Sequence, residues 1–131
     1  MDIVKVVMNM NLKRKIYDKS ILFDKLELNE GMFLENIVAQ MLVSSGYKLY
    51  FYSKNDRENA DNRMEIDFLI RQNKKISPLE VKSGKYQKHT SLDKCKKKFG
   101  KKIGMRYIIY TKDLRVEDDI VYLPVYMTMC L

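Results

Sequence analysis

The stretch EIDFLIRQNKKISPLEVKSG, Glu65 to Gly84, decides how this chain folds. Two runs of strand type, RMEIDFLI and ISPLEVKS, flank the polar RQNKK. If Asn73 and Lys74 are the two turn residues, hairpin partners have numbers that sum to 147. Two-residue loops are common in hairpins, and Asn suits the positive backbone angle they require. This register sets Asp67 opposite Glu80, Glu65 opposite Lys82, Phe68 opposite Leu79, Ile66 opposite Val81 and Ile70 opposite Ser77. One face of the hairpin is then apolar and points to a core, while the other carries Glu65, Asp67, Glu80 and Lys82. A slip of one residue would bury the charges, so the hydrophobic pattern favours this register. Pro78 is compatible only with an edge strand or a position that needs no hydrogen bond.

Glu65 opposite Lys82 is an ordinary cross-strand ion pair, of a few tenths to ~1 kcal/mol. Asp67 opposite Glu80 is unusual, because like charges directly opposed are destabilising. Splayed side chains, a shared proton or a bound cation would each relieve the repulsion. Hard divalent ions take oxygen ligands, often one or two carboxylates with waters and substrate phosphates. Lys82 lies two residues beyond Glu80 and so on the same strand face. There it can orient an attacking water or stabilise charge developing on a phosphate. The lone histidine, His89, gives no constellation and reads as a surface or cap residue.

Working outward, 131 residues suffice for one domain with a single core, and 46% hydrophobic residues favour folding over disorder. No apolar run approaches the eighteen or so residues needed to cross a bilayer. No secretory leader pattern is present, and Cys95 and Cys130 form neither a CxxC motif nor a disulfide framework. With one histidine and two distant cysteines, zinc is a poor expectation. A cytoplasmic domain with no membrane partner is expected. The net charge of +8 is unevenly spread: Arg71 to Arg106 holds 13 Lys/Arg against two Asp/Glu, whereas the remainder holds 12 against 15. Such asymmetry favours a polyanionic partner, although a lysine run by itself is also what keeps an exposed helix in solution.

Residues 1–30 read as an N-terminal arm or the remnant of an upstream region, and 31–131 as the domain proper. In GMFLENIVAQMLVSSG, apolar residues at Leu34, Ile37, Val38, Met41 and Leu42 recur at helical spacing, and Gly46 suits a left-handed C-cap. YKLYFYS, Tyr47 to Ser53, is a strand, and KNDRENADNR is a solvated loop. HTSLDKCKKKFG is a basic helix with Leu92, Cys95 and Phe99 inward, Thr90 or Ser91 as its cap and Gly100 as its stop. MRYIIYT is a buried strand, and DIVYLPVYM is another, broken at Pro124. Together these make an α/β sandwich. The tyrosines invite base stacking, but Tyr47, Tyr50, Tyr52 and Tyr107 fall in strands, where packing explains them.

EIDFLI followed by LEVKSG resembles the split motif of the PD-(D/E)XK nuclease superfamily, an Asp set beside Glu-x-Lys on adjoining strands. Together with GMFLENIVAQML and GYKLYFYS, the order most resembles the nuclease-like C-terminal domain attached to many bacterial and archaeal AAA-type ATPases. The resemblance covers about Gly31 to the C-terminus. It implies a restriction-endonuclease-like αβββαβ core, a mixed sheet flanked by helices. It also implies Asp67 and Glu80 as ligands of Mg²⁺ or Mn²⁺, Lys82 as the catalytic lysine, and Glu35 as the helix acid that completes the site. The expected activity is hydrolysis of phosphodiester bonds, in DNA rather than RNA. Lys85, Lys94, Lys97, Lys98, Lys101 and Lys102 are the expected backbone contacts. The alternative is a catalytically inactive module that binds nucleic acid or protein. No GxxxxGK[ST] loop occurs in the chain, so the resemblance implies an ATPase domain in cis in a longer protein, unless this is a stand-alone copy. A homodimer is left open.

Overall fold

The computed structural model describes residues 30–84 and 88–131; the expected arm up to residue 29, and Lys85, lie outside them. The chain folds as an α/β sandwich around a six-stranded mixed sheet. Helix α1 (Glu30–Ser44) leads into β1 (Tyr50–Lys54), β2 (Met64–Gln72) and β3 (Lys75–Val81). Helix α2 (Thr90–Phe99) then crosses to β4 (Arg106–Tyr110), followed by β5 (Arg115–Glu117) and β6 (Ile120–Pro124). The first six elements follow the expected αβββαβ succession. The strand order is β1-β2-β3-β4-β6-β5. β1–β2, β2–β3 and β5–β6 pair antiparallel, and β3–β4 and β4–β6 pair parallel.

Local chemistry accounts for the element ends. Gly46, at φ 90°, closes α1: its N–H donates to Val43 O at 2.9 Å and that of Tyr47 to Leu42 O at 3.1 Å. Both bonds belong to a Schellman cap, which satisfies carbonyls the helix would otherwise orphan. Gly100, at φ 50°, ends α2, its N–H making the helix's last bond to Lys96 O. Asn73, at φ 57°, makes the β2–β3 turn, and the register is the one expected from Phe68↔Leu79 to Gln72↔Lys75. Pro78 lies in a central strand, where regular pairing with β4 begins only at Leu79↔Tyr107.

Three details differ from the sequence reading, while the break of the last strand at Pro124 is as expected. β1 begins at Tyr50 rather than Tyr47, because the Schellman cap carries the chain past Tyr47 before it can extend. The N-cap position of α2 is His89, with no side-chain cap bond, rather than Thr90 or Ser91. The last strand ends at Pro124, and Val125–Cys130 forms a 3₁₀ turn that packs on α1. β5 was not foreseen: its three residues are all exposed and carry no alternation to read.

The largest difference concerns the faces of the sheet. Phe68, Ile70, Leu79, Val81 and Ile109 pack under α1. Met64, Ile66, Leu69, Ile108 and Tyr110 pack under α2 around Leu92 and Cys95. The face expected to be solvated is therefore a second core. Strand β4 is buried along its whole length, as befits a parallel strand covered on both sides. Among the described residues no helix is long and apolar enough to cross a membrane.

One charge cluster is part of the packing under α2. Arg106, almost fully buried, donates through Nη1 to Asp93 Oδ1 and through Nη2 to Asp119 Oδ1, both at 2.6 Å. Asp119 is held down to about 2, chiefly by its hydrogen bond with Arg106. A carboxyl with a depressed folded pKa stabilises the fold above its unfolded pKa, and that stability is lost as pH falls through about 2. In urea unfolding, Asp119→Asn is expected to cost about 1.5–3 kcal/mol at neutral pH, the worth of a hydrogen bond to a charged group. It should also flatten the loss of stability between about pH 4 and 2. A variant as acid-sensitive as the wild type would show that this carboxylate is not part of the acid response.

Candidate active site

The site begins with a fault in the β1–β2 ladder. Tyr50 pairs with Leu69 and Tyr52 with Ile66, so two steps along β1 match three along β2. The extra residue falls in the stretch that contains Asp67. A bulge of this kind reverses the in–out alternation and re-aims a side chain. Its effect is visible in the cores: Ile66 packs under α2, whereas Phe68 packs under α1. Without the bulge both would share a face.

The bulge also changes what Asp67 meets. Regular β2–β3 pairing stops at Phe68↔Leu79, and the backbone N–H of Val81 donates instead to Asp67 Oδ2 at 2.8 Å. Asp67 and Glu80 are therefore neighbours, but not the directly opposed ladder pair expected from the hairpin count. The expected Glu65–Lys82 ion pair is replaced as well. Glu65 is exposed and pairs on the β1 side with Ser53, while Lys82 Nζ binds Glu80 Oε2 at 2.7 Å. The backbone N–H of Lys82 donates to Ile109 O at 2.8 Å, which anchors the end of β3 against β4.

Glu80 is the unusual member. It stands beside Ile108 in the middle of the sheet, only 3% exposed. Oε2 has Lys82, but Oε1 is buried and has no hydrogen-bond partner. Burial pushes this carboxyl above its ordinary value; the Lys82 hydrogen bond and charge, then His89 and the first-turn amide of Leu92, oppose the rise. A buried acceptor without a donor costs about 1–3 kcal/mol, and more for a charged group. Asp67 is pushed up to about 6, first by burial and then by the like charges of Glu35 and Glu80, against the Val81 amide and Lys82. Glu35 sits half-buried on α1. The structure thus brings Glu35, Asp67, Glu80 and Lys82 into one electrostatically coupled group.

Among the described residues, no three acidic, histidine or cysteine side chains are grouped closely enough to hold a metal ion as they stand. The donor chemistry nevertheless fits a hard divalent cation. Two carboxylates with waters are a usual protein share for magnesium, and Oε1 of Glu80 is a buried oxygen in need of a partner. Occupation would relieve that orphan atom and lower both raised carboxyl pKa values.

The expected nucleic-acid lysines divide by their contacts. Lys94 Nζ donates to Arg63 O at 3.0 Å and to Ala60 O at 3.4 Å, pinning the β1–β2 loop to α2. That loop is also tied internally, since Asp56 accepts from the Glu58 and Asn59 amides and from the Asn62 side chain. Lys98 Nζ donates to Tyr52 Oη at 2.7 Å and lies 5.2 Å from the centre of that ring. Lys97, Lys101 and Lys102 are exposed. The sequence reading passed over Lys74 and Lys75 at the hairpin tip, although the turn itself marked them as exposed.

Residues 30–128 match the model of the family described as Domain of unknown function (DUF4143), and the chain belongs to that family. No curated protein matches it.

The raised carboxyl of Asp67 has a thermodynamic consequence. A folded pKa of about 6 against an ordinary 3.8 means that the folded state holds this proton more tightly than the unfolded chain. The carboxyl costs nothing below the unfolded pKa and destabilises the fold as pH rises toward and through about 6. In metal-free buffer, Asp67→Asn is expected to be more stable than wild type at neutral pH and to lack the wild type's loss between about pH 4 and 7. Urea unfolding across that range checks it; an unchanged slope would assign the pH dependence to other groups.

Proposed function

We propose that this DUF4143 member is a metal-dependent nuclease-type domain that hydrolyses phosphodiester bonds in DNA. The observation that carries the reading is the buried, half-satisfied Glu80 between Lys82 and Asp67. Purely structural buried charges are fully paired, and an exception asks for a functional reason.

In this mechanism Asp67 and Glu80 would hold Mg²⁺ or Mn²⁺, with Glu35 on α1 as the third acid. When bound, such a cation supplies an activated water and neutralises charge on the phosphate oxygens. Asp67 is ready for that role above about pH 6, where it is ionised. Its Oδ2 is already oriented by the Val81 amide. Lys82 holds the Glu80 carboxylate in the substrate-free protein. In the metal-loaded site the Lys82 ammonium could orient the attacking water or donate to a phosphate oxygen on which charge develops. The exposed lysines supply attraction to the backbone that is indifferent to sequence.

The proposal includes a cytoplasmic setting and an AAA-type ATPase domain in cis in a longer protein. A second reading is a catalytically inactive binding or interaction module of such an ATPase. One observation favours it: the Lys82–Glu80 ion pair at 2.7 Å already neutralises the buried acid without any cation.

Two measurements separate the readings. A calorimetric Mn²⁺ titration should show binding to the wild type that disappears in Asp67→Ala. In Mg²⁺-dependent plasmid nicking, Lys82→Ala should lose at least about 10²-fold, the usual cost of removing one donor to developing charge. DNA affinity should stay within about twofold, because one rim contact adds little to the backbone attraction. Nicking by Lys82→Ala at the wild-type rate would remove the lysine from the mechanism. A folded wild type that binds no Mn²⁺ would favour the inactive module.

A further inference from the structure

A second feature lies at the other end of β3. The β2–β3 turn and the segment from Gly100 to Met105 form the two walls of an open groove of about 980 Å³. Lys74 and Lys75 stand on one wall, and Lys101 stands on the other, all three exposed. Lys96 and Asp119 complete the end of the groove. Asp119 is the only acid among the lining residues, and it is already matched by Arg106 and Lys96. The charge left over on the walls is positive.

The groove is a built feature rather than a coat of lysines. Its walls come from two separate segments held together by the Gly104 N–H donating to Ile76 O at 2.9 Å. Gly104 keeps the floor low: a Cβ there would lie 3.3 Å from Lys75 Cβ and 3.4 Å from Ser77 Oγ. Lys75 and Glu80 stand near opposite ends of β3, about 16 Å apart at a strand rise of ~3.3 Å per residue. The groove is therefore distinct from the acid cluster.

We infer that this groove seats the phosphate backbone of double-stranded nucleic acid, independently of any metal. The inference deepens the nucleic-acid part of the proposed function and does not require cleavage. Three observations select the occupant. The lysines lie on facing walls, as a chain of phosphates would use them. Among the described residues no aromatic ring lines the groove, so single strands gain no stacking from them there. Duplex carries the denser charge and releases more counterion per contact, with salt slopes of about −0.9 against −0.7 per phosphate. Recognition through the backbone alone carries no sequence preference.

The test is fluorescence anisotropy with a labelled 20-base-pair duplex in EDTA, across a salt series, using the full chain. Lys74→Glu/Lys101→Glu is compared with Lys48→Glu/Lys112→Glu, two exposed lysines outside the groove that change net charge equally. The groove variant is expected to bind at least about tenfold more weakly and to lose about one unit of salt slope per contact removed. The control should change threefold or less, and the single strand should bind wild type more weakly than the duplex. Equal losses in the two variants, or no loss in the groove variant, overturn the inference. Tighter wild-type binding to phosphatidylserine vesicles than to the duplex also overturns it. The comparison is made in EDTA, so it does not depend on metal at the acid cluster. Failure of metal binding or nicking thus counts against the proposed chemistry, whereas failure of this comparison counts against the groove.

Discussion

The hydrogen bond from the Val81 amide to Asp67 Oδ2 is the contact on which the site depends. At the end of the β2–β3 ladder a buried N–H must find an acceptor, since an orphan there costs about as much as a lost hydrogen bond. The extra residue in β2 removes the carbonyl that would ordinarily serve, and a side-chain carboxylate takes its place. That substitution draws Asp67 inward and ties it to β3 beside Glu80. The same irregularity switches Ile66 to the α2 side and leaves Phe68 under α1. One backbone fault thus positions the acid and lets one strand serve two cores.

Much of this architecture was legible because local chemistry and tertiary structure agree. Asn73 at the turn set the register of five residue pairs, and Gly46 and Gly100 marked the ends of both helices. Leu92 and Cys95 face the sheet as helical spacing implies. The bulge was not legible, because EIDF alternates and the departure from alternation at Phe68, Leu69 and Ile70 does not by itself say that a residue is inserted. That hidden step is why an apolar/polar split of the hairpin was expected where the structure has two covered faces. Glu80 and Lys82 come together even so, since Glu-x-Lys spacing keeps them on one face whatever β2 does. Their partners were mispaired: Lys82 turned to its own strand neighbour Glu80 rather than across to Glu65. Lys94 and Lys98 show the limit of charge counting, because a lysine that braces a loop or caps a tyrosine looks in sequence like one that awaits a phosphate.

Two buried charges lie under α2, and they are treated differently. Arg106 meets two carboxylates, so its guanidinium is satisfied by residues within the fold. A buried ion of that kind is costly to desolvate but strongly destabilising to strip of a partner, so it acts as a fixed tie between α2, β4 and the β5–β6 turn. Glu80 has one oxygen paired and one orphaned in the same layer. Half-satisfied polar groups are worse for stability than apolar packing would be. The contrast is informative because solvent, helix and sheet are common to both. Stability accounts for Arg106, whereas it does not account for the unpartnered oxygen of Glu80.

Helix α2 gives this arrangement a direction. Its first turn lies over Glu80, where the backbone amide of Leu92 favours negative charge. Its last turn carries Lys96, Lys97 and Lys98 and leads through Gly100 into the wall of the basic groove. Ten residues at 1.5 Å each make about 15 Å, close to the span of about 16 Å from Lys75 to Glu80 on β3 beneath it. Strand and helix therefore hold an acidic end and a basic end at a fixed separation. Asp67 and Glu80 lie on strands within the sheet, whereas the basic end is walled by the β2–β3 turn and the Gly100–Met105 segment that those elements carry.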